Sequence, residues 1–152
     1  MDFSKERITR SLGLDVGDKR IGVALSDSLG IIATPFAIIE RKDDDRATGE
    51  INQILEKNEV GVIVAGLPLS MDGGIGPQAS KVKTFIDLLA HKTKIPIMFR
   101  DESLSTSEAR KIMLTSRSKK NRRQSNDDDV AAAVILQAYL EEKRSVNEKP
   151  NP

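Results

Sequence analysis

The chain of 152 residues has no cysteine. Disulfides, thiol nucleophiles and Cys-ligated zinc are therefore excluded. It has one histidine, His91, in the last turn of an apolar-periodic segment, where interaction with a helix C-terminus is the expected role. With the single histidine so placed, hydrolysis through a Ser–His pair is disfavoured, and metal-activated water becomes the better route to any hydrolytic chemistry. No apolar run is long enough to span a bilayer. Residues 1–7 lack the apolar stretch of a signal peptide. A cytoplasmic location with no membrane partner is the expectation. An excess of positive charge is missing too, since the formal net charge is +1. A protein that coats nucleic acid is usually more basic, so any such contact must come from a local patch. The one candidate is the run 117–123, with Lys119, Lys120, Arg122 and Arg123. A solvated surface loop explains the same run equally well.

Hydrophobic residues make up 38% and charged residues 31%, the balance of a globular domain with a polar surface. At this length a single domain over 1–152 is expected, with its core over about 11–143 and both termini outside it. Leu12, Leu14 and Val16 alternate with other residues, as do Ile21, Val23 and Leu25, and Gly17-Asp18-Lys19 lies between them. Two strands joined by a tight turn follow. A third strand is read over 31–39, where Pro35 suits a sheet edge. The period then becomes helical over 44–58, apolar and continuous over 60–65, and helical again over 77–92, with a loop at 66–74. A strand over 95–100 comes next. Ser105 and Glu108 have capping-box spacing for a short helix, 115–126 reads as a basic loop, and 127–143 as a helix. The tail from 144 shows no pattern. Three antiparallel strands followed by helix–strand units predict an α/β fold, a mixed five-stranded sheet flanked by helices. Ligands in such sheets bind beyond the carboxyl ends of the parallel strands.

Three carboxylates fall where that geometry would use them. Asp15 lies within the first strand, between Leu14 and Val16. Glu102 follows the last strand, and Asp128 opens the final helix. A carboxylate at the end of an apolar strand is costly without a partner, and oxygen ligands in a group favour Mg²⁺, with Mn²⁺ as its substitute. Asp127, Asp128 and Asp129 all suit a helix N-terminus through the dipole. At about 100° per residue, Asp128 shares the side of Ile135 and Tyr139, while Gln137 and Glu141 fall roughly opposite, so Asp128 is expected to face the sheet.

The blocks LDVGDKRIGVA (14–24), GLPLSMDG (66–73), DESLST (101–106) and DDVAAAVIL (128–136) resemble, in order, those of the YqgF/RuvX family. The resemblance covers about 12–140 and implies a ribonuclease-H-like fold. It also implies a metal-dependent nuclease acting on structured nucleic acid, with Asp15, Glu102 and Asp128 as catalytic and metal-binding residues. The implied substrate is the 5′ region of pre-16S ribosomal RNA, in which case ribosomal particles are partners, or a four-way DNA junction. Lys19, Arg20, Lys119, Lys120, Arg122 and Arg123 would hold flanking phosphates. One departure stands out: the family has Arg after the Asp-Glu pair, and this chain has Ser103. Arg100 and Arg110 are the nearest replacements.

Two other classes fit part of the pattern. Actin, the sugar kinases and Hsp70 also open on a strand with Asp-x-Gly, but they enclose nucleotide between two such domains and this chain has room for one. A non-catalytic nucleic-acid or ribosome-binding module of the same fold would need no carboxylate set. Oligomeric state is open, because no interface stripe is legible.

Overall fold

The computed structural model describes residues 9–68, 76–101 and 128–148. Its elements run in chain order as strand β1 (Arg10–Val16), β2 (Arg20–Ser26), β3 (Ala33–Glu40), helix α1 (Asp44–Lys57), β4 (Val60–Leu67), α2 (Pro77–Ala90), β5 (Ile97–Asp101) and α3 (Asp128–Glu148). The strands form one five-stranded sheet in the order β3-β2-β1-β4-β5. β2 pairs antiparallel with β1 and β3, while β4 runs parallel to β1 and β5. This is the expected mixed sheet, with β1, which carries Asp15, at its centre.

Strand alternation divides the side chains between two layers. Leu12, Leu14, Val16, Ile21, Val23, Leu25, Ile63, Ala65 and Leu67 join the buried residues of α1 and α2 in one core. Ile51 and Leu55 enter it from α1, and Val82, Phe85, Ile86 and Leu89 from α2. Each large aliphatic chain buried there stabilises the fold by about 1.5–3 kcal/mol. On the opposite face the sheet offers small residues, Gly13, Gly22 and Ala24, and α3 answers with Ala132, Ala133, Ile135, Leu136 and Leu140. Small residues on both sides let that helix approach the sheet closely. Among the described residues no helix is long and apolar enough to cross a membrane.

Several boundaries differ from the sequence reading, each for a local reason. β3 starts at Ala33 because Ile31 and Ile32 belong to the preceding turn, where both of their N–H groups donate to the Asp27 carboxylate at 2.8 and 3.0 Å. Those two bonds hold the Asp27 pKa below the usual carboxylate value. β3 is the sheet edge, as Pro35 suggested, and its pairing skips from Ala37 to Pro35, leaving Phe36 as a bulge. Gly66 and Leu67 belong to β4, because β5 pairs with them at Arg100 and Asp101. The final helix continues through the patternless tail to Glu148. Backbone i to i−4 bonding continues a helix without an apolar stripe, so periodicity alone cut it short. The 105–108 capping box, the 115–126 loop and Asp127 lie outside the described residues.

Candidate active site

Asp15 stands on β1 directly opposite Gly22 of β2. Its direction follows from its strand neighbour. A Cβ built on Gly13 would meet Ala132 O at 2.7 Å and Leu136 Cβ at 2.8 Å, so Gly13 faces α3. Two residues on, Asp15 faces the same side. The Gly22 position points there as well: a Cβ on it would lie 1.8 Å from the Asp128 carbonyl oxygen. The backbone of Asp128 therefore rests on the position across from Asp15. Both acids are half-buried. Two residues 113 apart in sequence thus become neighbours because glycine leaves room for the first turn of α3.

Asp128, expected from its helical position to face the sheet, does reach a strand residue with its side chain. Arg20, on the same face of β2 as Gly22, donates from Nε to Asp128 Oδ2 at 3.2 Å. Gln137 corrects that argument in detail. Placed opposite the sheet by the wheel, its side chain instead accepts from Ala33 N at 2.8 Å and donates to Ile31 O at 3.0 Å. A long amide on the helix flank reaches around to the start of β3, which a projection of Cα directions cannot register.

The turn between β1 and β2 carries Lys19, which is exposed. Its geometry is set by a residue that sequence reading overlooked. Arg41 donates from its backbone N–H to Lys19 O at 2.8 Å and from a terminal nitrogen to Gly17 O at 2.9 Å. The same guanidinium bonds the Asp44 carboxylate through Nε at 2.8 Å and lies 5.0 Å from the centre of the Phe85 ring. It thus ties the turn to both α1 and α2. Nothing near Arg41 in sequence signals this, because Gly17 is 24 positions away. Replacing Arg41 with Met keeps the aliphatic packing and removes the donors, leaving the Gly17 carbonyl short of a partner. The expected loss is about 1–3 kcal/mol, read by denaturant unfolding. The hydrogen bond from Arg41 lowers the Asp44 pKa, burial opposes it and the Arg41 charge adds to the lowering. A folded-state pKa below the unfolded one makes the contribution present at neutral pH and lost as pH falls through the lowered folded value. The stability gap between wild type and R41M should therefore narrow below about pH 4.

Arg100, named as a possible replacement for the missing family arginine, is already engaged. It forms an ion pair with Glu142 of α3, and its Nε is buried with no hydrogen-bond partner among the described residues. That pair links β5 to α3. Glu102, Ser103, Arg110, Lys119, Lys120, Arg122 and Arg123 lie outside the described residues. Among the described residues no group of three potential metal ligands converges; of the three expected acids, Asp15 and Asp128 are the two described.

The chain is similar to known proteins over most of its length. A protein from Clostridium kluyveri named "Putative pre-16S rRNA nuclease" is 46% identical over 132 residues, covering 87% of this chain and 96% of that protein. One of the same name from Dehalococcoides mccartyi is 49% identical over 127 residues, covering 84% and 94%. Among solved structures, Thermus thermophilus RuvC in complex with a Holliday junction superposes with a TM-score of 0.58 at 12% identity, covering 90% of this chain and 96% of that one. The fowlpox virus Holliday junction resolvase superposes at 0.57 and 15%, covering 88% and 99%. At such identities these two likenesses speak to fold alone, which is ribonuclease-H-like as expected. The family model RuvX, described as Holliday junction resolvase, matches residues 9–142. With a sheet of this order, a match over nearly its whole length and relatives this similar, the chain belongs to the RuvX family of nucleases.

Proposed function

We propose that this protein hydrolyses phosphodiester bonds at the 5′ end of pre-16S ribosomal RNA, with Asp15, Glu102 and Asp128 holding a divalent cation, Mg²⁺ or Mn²⁺. The observation that carries the reading is the meeting of Asp15 and the first turn of α3 over Gly22. Two half-buried carboxylates on one face form a donor set of hard oxygens, which fits Mg²⁺ and gives a thiophilic metal nothing to hold. Glu102 follows β5 in the chain and would supply the third carboxylate. When bound, the cation lowers the pKa of a water and stabilises the leaving oxygen. The chain's own contribution is to fix the carboxylates and to present cationic side chains to the flanking phosphates. Lys19, on the turn held by Arg41, is the described residue best placed for that task, and Lys119, Lys120, Arg122 and Arg123 would extend the contact. The names of relatives 46–49% identical support an RNA substrate. The description of the matching family favours a second reading, a four-way DNA junction.

The test is a cleavage assay of the purified protein on a 5′-extended 16S precursor, free and in ribosomal particles, a four-way DNA junction, and single strands of each. It is run with Mg²⁺, with Mn²⁺ and with chelator. Divalent-dependent cut of the precursor, ahead of the junction, is expected. Salt-sensitive binding without cleavage under any divalent metal would leave a binding module of the same fold instead.

A further inference from the structure

We propose that Arg20 is a positioning residue which orients the Asp128 carboxylate and, by its fixed charge, weakens cation binding at the Asp15–Asp128 pair. This deepens the proposed function and rests on the reading of those acids as cation ligands. Arg20 opens β2, and its backbone is held in register opposite Glu40. Its side chain lies on the face of Gly22 and Ala24, toward α3, and its Nε meets Asp128 Oδ2 at 3.2 Å. The pair is only half-buried, with side-chain exposures of 42% for Arg20 and 26% for Asp128.

Three physical points give the contact its role. First, the Asp128 backbone has little freedom, because its carbonyl rests against Gly22. What stays adjustable is the carboxylate torsion, and Arg20 sets it. Second, the bond uses one nitrogen and one oxygen. A carboxylate has about four lone-pair directions, so Asp128 can keep this bond and still ligate through another. Third, a guanidinium cannot be deprotonated in a protein. Any cation held by Asp128 therefore sits within a few ångströms of a permanent like charge, inside the Debye length at ordinary ionic strength. Arg20 is thus already committed to Asp128, and its first task is to place the carboxylate. The terminal nitrogens of the guanidinium take no part in this bond, so orienting Asp128 does not preclude contact with a phosphate.

Calorimetric titration with Mn²⁺ alone, in the absence of nucleic acid, tests this on wild type, R20Q, R20K, D15N and D128N. Removing the charge in R20Q should tighten Mn²⁺ binding roughly three- to tenfold, while its cleavage rate falls because Asp128 is no longer oriented. R20K keeps the charge, so its Mn²⁺ affinity should match wild type and its cleavage should recover in part. Unchanged or weaker Mn²⁺ binding by a folded R20Q, checked by thermal unfolding, overturns the proposal. Wild-type Mn²⁺ affinity in D15N and D128N overturns the underlying ligand reading as well. The two failures are therefore separable without any nuclease assay.

Discussion

Gly22→Ala should be among the most damaging single-atom additions in this protein. The new Cβ would lie 1.8 Å from Asp128 O, 2.2 Å from Asp128 C and 2.8 Å from Asp129 N. These are backbone atoms of a helix, so no side-chain rotation relieves the clash, and the first turn of α3 must lift away from β2. Overpacking of this kind costs about 1–3 kcal/mol and occasionally more. At about 2–4 °C per kcal/mol for a chain near this size, Tm should fall by roughly 2–12 °C. The functional effect should exceed the thermal one. Asp128 would be carried away from Asp15, and a misplacement near 1 Å can cost about a hundredfold in rate. Gly49→Ala is the matching control, because Gly49 sits within α1 and nothing lies within 4 Å of an added Cβ. That change should raise stability by about 0.5–1 kcal/mol. Paired melts and cleavage rates check both. Wild-type cleavage by G22A would mean that the close approach of α3 to β2 does not govern the chemistry.

Asp15→Asn should separate activity from stability. The substitution preserves shape and removes one negative charge on the α3 face of the central strand. If Asp15 holds the cation, the loss is several kcal/mol of charge stabilisation in the transition state. At 1.36 kcal/mol per tenfold, that is a fall of roughly a thousandfold in divalent-dependent cleavage. Folding should change little, since Asn matches the shape of Asp and keeps an acceptor oxygen. The measurement is single-turnover cleavage of the preferred substrate with Tm recorded on the same preparation. Cleavage at the wild-type rate would remove Asp15 from the catalytic set. A large drop in Tm would make Asp15 a structural residue instead.

Much of the architecture was legible from local pattern. Leu12, Leu14 and Val16, then Ile21, Val23 and Leu25, alternate because one face of each strand enters the α1/α2 core. The tight turn at 17–19 and the edge position of β3 followed from residue chemistry, since Gly permits the turn and Pro cannot donate to a ladder. Asp15 was conspicuous because an unpaired carboxylate within an apolar strand is costly, and Asp128 because the helix wheel has a period. Those signals are local: they depend on a few successive residues and on solvent.

What only the tertiary structure decided are relations between distant segments. That α3 descends on the face of Asp15 is settled by Gly13 and Gly22, whose missing side chains look like mere strand weakness in the sequence. Arg41 acquires its role only when Gly17, Asp44 and Phe85 surround it. The resemblance implies that Arg20 holds phosphate; the fold adds a bond from its Nε to Asp128, 108 positions away. Arg100 is drawn to Glu142 in the same way. Periodicity reports which side of an element is apolar, whereas the partner of a charge depends on which elements stack. That is fixed by close packing between layers, and no single segment encodes it.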